Sequence, residues 1–584
     1  MVWGAMSSAR AGSDAEDRPT SHRRRRGDAA LRTGRRVVAL LAAPPLIVWL
    51  LCGLTFSLSA ASAIAFPPYA GFDEPQHVDM VVSLLEGDGW PAPGHRYVAQ
   101  GVAIPSTYFY NHLNVRPFSK LPIPPRGKRP SFDQEGGDKS SGGLPNQIVQ
   151  HPPLYYATAA LLVRAWPGAW DQMPFTHFLF ALRLVSAFII AWLPLLAWGL
   201  ARALRAPPPV PVAAAALTLA VPGVIRVGGM VNNDGLLAVL TAAVLIGAVR
   251  IGRGDLSWRT AAWSGVLLGL ALLTKGFALT LVVAMLLAYA VAWWRHRAFA
   301  WRPLLVCWGV GFVVGGWWWL RNLVLYGQIQ PQGYGVDAVQ QIRGPRLAHR
   351  PPVGHFLSTI EDLVPRSFFE PTGAAGFATL SRATALLLAF TTVALIAVSL
   401  IAGVRRHGSR LLLLLILLPL GFYLVLITAG SASVYFHYGT TPGLQGRYLY
   451  GLVPSLAVLA AVAVDALLTA GGRGPRDVVR WTTLLVVPGC LAAAAAIEVH
   501  AFASLVNSFW AAGPHTPITD DMSNMLVVAP WSRWYSLSPF IAVGAVTIAI
   551  AAAVVVRLRR RAAAADDDDD ADLDPALAPE GAQA

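Results

Sequence analysis

The chain has 584 residues, of which 55% are hydrophobic and only 13% are charged. Soluble domains carry roughly 25% charged residues, so this composition excludes a soluble globular protein. The formal net charge is +14, but the basic residues lie between apolar stretches rather than in one basic segment, so no nucleic-acid partner is expected. The long apolar stretches predict an all-α polytopic membrane protein.

Twelve apolar runs, each close to the roughly 20 residues that cross a bilayer, predict twelve transmembrane helices within a membrane domain at 37–557. A shorter run at 152–166 contains Arg164 and is predicted to lie along the membrane surface as an interfacial helix. In chain order the twelve runs are 37–65, 179–203, 209–225, 234–250, 260–274, 276–294, 303–320, 383–403, 411–429, 449–470, 481–499 and 537–556.

Clusters of arginine predict the orientation of these helices. Arg23–Arg26 precede the first run, and the later clusters fall on that same side if 152–166 does not cross. Short basic loops stay in the cytoplasm, so both termini are expected inside, and the Ala- and Arg-rich composition suggests a bacterial plasma membrane. The other predicted segments are a basic disordered N-terminus at 1–36, outer loops at 66–178 and 321–382, and an acidic disordered cytoplasmic tail at 558–584.

The first outer loop opens with Gly71-Phe-Asp-Glu-Pro-Gln-His77. Pro75 suits the first turn of a helix and Asp73 or Glu74 suits its cap, which predicts a short helix over 75–86. A carboxylate kept ionised by a helix N-terminus at the membrane surface could act as a general base. The alternative is that Asp73 only caps the helix.

Further along the same loop, His151-Pro-Pro-Leu-Tyr-Tyr156 opens the interfacial helix. Tyrosines at this position are typical of an aromatic belt at the membrane surface. The alternative interpretation places His151 or Tyr155 beside a lipid phosphate.

Charged residues also stand at four predicted outer helix ends, where positive charge is disfavoured. Asp234 begins the fourth helix and Lys275 lies in the tight Thr-Lys-Gly connection that follows the fifth. Arg321 ends the seventh helix and Arg447 precedes the tenth. Because arginine offers a planar, permanently charged fork for phosphate oxygens, Arg447 is favoured as a phosphate contact over a routine flanking residue.

Taken in order, these motifs resemble those of bacterial GT-C glycosyltransferases, in particular the protein O-mannosyltransferase and aminoarabinose-transferase group. The resemblance covers about 37–470 and implies a GT-C type fold with interfacial helices in the first extracytoplasmic loop. It implies a polyprenyl-phosphate sugar donor and an extracytoplasmic glycan, lipid or protein acceptor. Asp73 would be the base with Glu74 its neighbour, and the implied donor-binding group is Asp234, Lys275 and Arg447, to which the residues of the chain add His151, Tyr155 and Arg321.

The function expected from this resemblance is transfer of a single sugar, with inversion, at the outer membrane face. Only short outer loops and a cytoplasmic tail are expected where the larger oligosaccharide-transferring members carry a sizeable soluble C-terminal domain, which favours transfer of a single sugar. No cofactor is expected. A divalent metal is the alternative, since His77, His95, His112 and His151 share the first loop with Asp73 and Glu74, but their spacing matches no standard ligand pattern. Rival interpretations are a multi-pass transporter, because twelve helices with both ends inside is a common transporter plan, and a lipid-binding membrane protein.

Overall fold

The computed structural model describes residues 44–297, 299–334, 345–370, 381–405, 409–469, 475–513 and 515–571. The predicted N-terminal segment 1–36, the first residues of the first apolar run and the end of the acidic tail lie outside the described residues. The described chain from Ile47 onward belongs to one compact unit.

The protein is an all-α polytopic membrane protein. Within the described ranges, ten helices are long and apolar enough to cross a membrane. They are Leu46–Ala65, Phe175–Ala203, Asp234–Gly252, Gly276–His296, Trp301–Tyr326, Arg382–Gly403, Arg410–Tyr438, Gly446–Thr469, Leu485–Trp510 and Arg533–Arg559.

Two of the twelve predicted crossings take another form. The run at 209–225 is a bent pair, Pro209–Ala220 and Pro222–Gly228, with 70° between the two parts, and counting it as one span gives eleven in the described chain. Pro222 lacks a backbone N–H, so the first helix cannot continue through it. Trp258–Leu272 has 15 residues, about 22 Å of helix, against a hydrocarbon core of about 30 Å. The count of twelve therefore stays a prediction.

The helices of the described chain have the following bounds. The α-helices are Leu46–Ala65, Glu74–Glu86, Gln100–Tyr110, Leu154–Arg164, Phe175–Ile190, Leu193–Ala203, Pro209–Leu217, Pro222–Gly228, Asp234–Gly252, Trp258–Leu272, Leu279–His296, Trp301–Gly311, Trp317–Tyr326, Val353–Phe369, Arg382–Arg405, Ser409–Tyr438, Val453–Thr469, Pro475–Trp510, Ile518–Val528 and Arg533–Ala571. Short 3-10 helices are Phe118–Lys120, Arg126–Lys128, Asp133–Glu135, Gln147–Gln150, Trp170–Gln172, Thr218–Ala220, Gly276–Ala278 and Gly446–Leu452, and Phe312–Gly316 is π-helical.

The last helix, Arg533–Ala571, extends into the segment predicted as a disordered tail at 558–584. Its extension passes through the alanines at 562–565, which have the highest intrinsic helix propensity. Residues 572–584 of that tail lie outside the described residues.

The segment predicted as the first outer loop folds around an apolar core that it shares with the following membrane helix. Helix Glu74–Glu86 contributes Val78 and Val82 to this core, and helix Leu154–Arg164 contributes Tyr155 and Tyr156. The second of these helices is the predicted interfacial one; its 11 residues span about 16 Å, too short to cross a bilayer. Its position at the membrane surface stays a prediction.

A two-stranded antiparallel sheet ties the Pro- and Gly-rich insert at 119–146 to the loop. Strand β1, Tyr97–Ala99, pairs with strand β2, Ser140–Pro145. Tyr97 lies opposite Pro145 and Ala99 opposite Ser140. The end of the insert is therefore fixed next to the helices that start the loop.

Basic helix ends gather at one end of the helix bundle. The Arg253 guanidinium donates to the carbonyl of Leu204 at 3.5 Å. Partial burial and the charges of Arg205 and Arg295 lower the pKa of Arg253. Since helix Asp234–Gly252 has 19 residues, Asp234 lies about 28 Å away, at the opposite end.

Candidate active site

Four charged residues that are far apart in the sequence meet at the end of the bundle marked by Asp234. The Nζ of Lys275 donates to Oδ1 of Asp234. Arg447 reaches both acids: its Nη2 lies 3.2 Å from Oδ2 of Asp73 and its Nη1 lies 3.8 Å from Oδ2 of Asp234. The side chains of Asp234, Lys275 and Arg447 are 3 to 6% exposed, whereas that of Asp73 is 40% exposed. Asp73 is therefore the member of this group that solvent and a substrate can reach.

The first loop motif places Asp73 by backbone geometry. Asp73 stands at the N-cap of helix Glu74–Glu86 in a left-handed conformation, φ 51°, and its side chain makes no capping hydrogen bond. Its Oδ1 instead accepts from Gln147 at 3.1 Å and its Oδ2 accepts from Arg447. The carboxylate points away from its own helix, so the alternative that Asp73 only caps that helix does not describe it.

Glu74 has a different place from the one predicted. It is fully buried; its Oε1 and Oε2 accept from Arg183 at 2.8 and 2.7 Å. The same oxygens accept from the backbone N–H groups of Val231 and Gly71 at 3.0 and 3.1 Å. Both oxygens of Glu74 thus accept two hydrogen bonds each from the protein and are buried, so they are not available to a substrate. The predicted catalytic role of Glu74 is therefore corrected to a positioning role. A Cβ at Gly71 would lie 2.9 Å from Cδ of Glu74, which explains the glycine.

Asp234 and Lys275 are held by interlocking loops. Asn232 accepts from the N–H of Asp234 at 2.7 Å through its Oδ1, and Asn233 donates to the carbonyl of Thr274 at 3.2 Å. The ammonium of Lys275 lies 4.8 Å from the ring centre of Tyr448. The Asn-Asn-Asp and Thr-Lys-Gly motifs therefore form one unit that aims Lys275 at Asp234.

Arg447 is fixed by its neighbours in the Gln-Gly-Arg-Tyr motif. Its Nε donates to Gln445, and its guanidinium lies 4.2 Å from the ring centre of Phe72 and 5.2 Å from that of Tyr448. A Cβ at Gly446 would lie 2.2 Å from the carbonyl of Val364, so glycine allows helix Val353–Phe369 to pack directly against this turn. The guanidinium is thus clamped between two aromatic faces.

The histidine and tyrosine predicted beside the phosphate differ in role. His151 is buried, and burial followed by the charges of Lys275 and Arg447 lowers its pKa, so its imidazole stays neutral close to the two cations. Tyr155 lies deeper: its hydroxyl contacts Ser186 at 2.7 Å and accepts from the N–H of Asn232 at 3.1 Å. Tyr155 therefore supports the loop that carries Asp234, which corrects its prediction as a phosphate contact.

Arg321 is not brought into the group. Its guanidinium lies 4.9 Å from the ring centre of Trp318 and 5.7 Å from that of Tyr326, and it donates to Asn322 at 3.1 Å. These contacts are all within its own helix, as expected for a flanking arginine of an aromatic belt. The prediction of Arg321 as a donor contact is therefore corrected.

Several neighbours of the site went unnoticed in the sequence. Gln147 bonds Asp73, and His77 contacts the hydroxyl of Tyr156 at 2.8 Å and Asn232 at 3.3 Å. The segment predicted as the second outer loop approaches too, since a Cβ at Gly333 would lie 1.9 Å from the carbonyl oxygen of Gln147. Burial, followed by the charge of Asp73, raises the pKa of the neighbouring Tyr334 to about 12. Only His77, inside the first motif, had a local pattern that could have indicated it.

Buried polar atoms that make no hydrogen bond among the described residues gather around these charges. They include Nη1 of Arg447, Oδ2 of Asp234, Nδ1 of His151 and Oε1 of Gln147. Buried polar groups are nearly always hydrogen-bonded, so such a concentration favours a site that a polar ligand completes. The described residues contain no group of three or more His, Cys, Asp or Glu side chains that could hold a metal ion, and the expectation of no cofactor stays a prediction.

Fold and site together define a polytopic membrane protein with a buried charged cluster at one end of its helices. The chain belongs to the family described as "Predicted membrane protein (DUF2142)", whose family model matches residues 56–456. No curated protein matches it in sequence.

Solved structures with similarity to the chain include ArnT from Cupriavidus metallidurans and the oligosaccharyltransferase of Archaeoglobus fulgidus. The apo ArnT structure is 16% identical, with 85% of this chain and 78% of that chain covered and a TM-score of 0.39. The structure of ArnT bound to undecaprenyl phosphate is also 16% identical; 88% of this chain and 78% of that chain are covered, and the TM-score is 0.38. The apo oligosaccharyltransferase structure is 12% identical; 85% of this chain and 63% of that chain are covered, and the TM-score is 0.41.

Proposed function

We propose that the protein is a membrane glycosyltransferase that moves a single sugar from a polyprenyl-phosphate donor to an acceptor hydroxyl at the outer membrane face. One observation carries the proposal: a half-exposed carboxylate, Asp73, touches a buried arginine that also reaches a buried Asp234–Lys275 pair. A half-exposed carboxylate and two buried cations thus lie side by side at the ends of membrane helices, which supports a base next to an anion-binding group. Such a site suits a donor whose lipid chain is in the bilayer and whose phosphate is at its surface.

Arg447 and Lys275 supply the proposed contacts to the donor phosphate. Arginine can hold two phosphate oxygens at once, and Nη1 of Arg447 has no hydrogen-bond partner among the described residues. Asp234 orients Lys275 through their ion pair. Buried cations stabilise negative charge far better than exposed ones, because little solvent screens them.

Asp73 acts as the general base in this proposal. The acceptor oxygen attacks the anomeric carbon, the bond from that carbon to the phosphate oxygen breaks, and the proton of the hydroxyl passes to Asp73. The polyprenyl phosphate leaves with the bonding electron pair. Asp73 becomes neutral as the phosphate gains a negative charge, so the net charge of the site and its ligands does not change during transfer, and the displacement inverts the anomeric carbon.

The test uses the purified protein in lipid nanodiscs with a panel of polyprenyl-phosphate sugars. Consumption of one donor by the wild type, with release of polyprenyl phosphate, is expected. Failure to consume any donor of the panel in the presence of membrane extracts as acceptor source would contradict the proposal. Passage of a sugar across proteoliposomes without donor consumption would favour the transporter instead.

Removing either cation is expected to weaken donor binding. Hydrogen bonds to charged groups contribute about 1.5–3 kcal/mol, so Arg447→Gln and Lys275→Gln should each raise the Kd for the donor roughly 10- to 100-fold. Binding of a fluorescent polyprenyl-phosphate sugar to nanodiscs measures this. Lys128→Gln, at an exposed lysine of the first loop, is the matched control, and Arg321→Gln should also leave the Kd within about threefold. Equal losses in all four variants would indicate a diffuse charge effect and contradict the assignment.

A further inference from the structure

Asp73 also lines a separate cavity of about 510 Å³ within the first outer loop. This volume is in the range of about 300–1,000 Å³ that is usual for small-molecule sites. Arg447 and Lys275 do not line it, so Asp73 alone is shared between the cavity and the charged group. Its lining residues are Asp73, Pro75, Gln76, Ala103, Ser106, Thr107, Tyr110, Ser141, Gly143 and Leu144.

The cavity has an apolar lining with several polar side chains, and some of these present hydrogen-bond acceptors. The hydroxyls of Ser106 and Thr107 donate to carbonyls of their own helix, both at 2.7 Å, which leaves their oxygens as acceptors. Oε1 of Gln76 is buried and has no partner among the described residues. Asp73 adds a carboxylate, and none of the lining residues in the described part of the chain is a lysine or arginine. The acceptor oxygens of Ser106, Thr107 and Asp73 favour a ligand that brings hydrogen-bond donors and no negative charge.

The insert at 119–146 forms one wall of the cavity through Ser141, Gly143 and Leu144 of strand β2. This wall is anchored beside Asp73, because Asn146 donates to the carbonyl of Gln76 at 3.0 Å and to the buried Asp79 at 2.6 Å. The insert thus belongs to the surroundings of Asp73 rather than to a remote surface.

We infer that this cavity is the acceptor site, and that the acceptor is an uncharged, hydroxyl-rich compound such as a neutral glycan. The inference rests on the proposed function, since the acceptor is the second substrate of that reaction. Sugar hydroxyls donate to Gln76, Ser106 and Thr107, and one hydroxyl donates to Asp73, which takes its proton. A phosphate- or carboxylate-bearing acceptor would face Asp73 with no cation among the lining residues, and like charges in contact are strongly unfavourable.

Gly143→Phe tests the site directly. A Cβ at residue 143 meets no atom within 4 Å and its φ is not in the left-handed region, so the backbone tolerates a bulky side chain at this wall of the cavity. Gly127→Phe is the matched control: residue 127 lies in the same insert, has the same open surroundings and does not line the cavity.

Binding of the full-length protein in nanodiscs is measured on an array of neutral, phosphorylated and carboxylated oligosaccharides, without donor. Neutral glycans are expected to bind, about tenfold more weakly to Gly143→Phe and equally to Gly127→Phe. Preferred binding of anionic glycans, no binding of any neutral glycan, or equal binding by Gly143→Phe and the wild type would each overturn the inference. The Kd for the donor is measured in parallel. If the wild type binds the donor but one of these contradicting glycan results is found, only the acceptor site is overturned. If the wild type binds no donor, the proposed function itself is contradicted.

Discussion

Asp73→Asn is expected to lower the rate of sugar transfer by roughly 10²–10⁴-fold, the contribution typical of a general base. Asparagine has nearly the same shape, and its amide oxygen can accept from Arg447 in place of Oδ2. Its NH2 group then takes the place of Oδ1 and can donate to Gln147 once that side-chain amide turns its oxygen towards it, so the loop should keep its conformation. It cannot take a proton from the acceptor. Initial rates of transfer, measured with saturating donor, report the effect.

Asp171→Asn is the control for this variant, because Asp171 lies in the same loop, is also partly exposed and does not line the cavity. Its transfer rate should match that of the wild type. Transfer by Asp73→Asn within about threefold of the wild-type rate would remove Asp73 as the base, since such a loss is far below the range for base catalysis.

The ion pair between Asp73 and Arg447 adds a second expectation for the same variant. Before the donor binds, Arg447 holds the charge of Asp73, and a phosphate must compete with that carboxylate for the guanidinium. Loss of the carboxylate charge removes the competitor, so Asp73→Asn should bind the donor at least as tightly as the wild type. Loss of transfer together with retained donor affinity separates a role in catalysis from a role in binding.

Sequence patterns indicated the charged group because polarity at the ends of apolar runs is unusual. Asp234, Lys275 and Arg447 each stand beside a run long enough to cross a membrane, so helix geometry alone brings them to one end of the bundle. The predicted short helix after Asp73 is also present, at Glu74–Glu86. The position of a charged residue at a helix end can be inferred from the local sequence. Asp234, Lys275 and Arg447 were expected at the same end of the bundle for this reason, and they lie together there.

The direction in which each side chain points, and the residues that it contacts within the site, could not be inferred from the local sequence. Glu74 and Asp73 are adjacent and chemically alike, yet Glu74 is buried against Arg183, whereas Asp73 contacts Arg447 and lines the cavity. Asp73 also has a left-handed backbone conformation, φ 51°. That conformation depends on tertiary contacts rather than on a sequence pattern. Arg321 shows the converse, since an arginine at a helix end has the same local pattern whether or not neighbouring helices bring it to the site.

Arg183 is a positioning residue that the sequence pattern alone could have indicated. It interrupts the apolar run of helix Phe175–Ile190, and an ionisable residue inside such a run is costly unless paired. In the structure it donates to Glu74 and to the carbonyls of Ala63, Phe66 and Pro67 at 2.8 to 3.0 Å. One buried guanidinium thus joins the end of the first membrane helix to the turn that carries Asp73.

Glu74→Gln should therefore destabilise the fold rather than remove a chemical step. Breaking one partner of a buried ion pair leaves an uncompensated charge and typically costs about 3–5 kcal/mol. The expected result is a clear fall in the thermal unfolding midpoint in detergent. Glu86→Gln, an exposed glutamate at the end of the same helix, should leave that midpoint unchanged within error.

A double-variant cycle distinguishes this positioning role from catalysis. Glu74→Gln, Arg183→Gln and the double variant are compared for unfolding and for transfer at a temperature where each is folded. Because the two side chains share two hydrogen bonds, the double variant should lose clearly less stability than the sum of the single losses, with coupling of about 0.5–3 kcal/mol. A carboxylate buried against Arg183 has no access to the acceptor, so Glu74→Gln should not abolish transfer in protein that is still folded. Normal stability of Glu74→Gln, with transfer reduced as far as in Asp73→Asn, would contradict the positioning role and restore Glu74 as a catalytic residue.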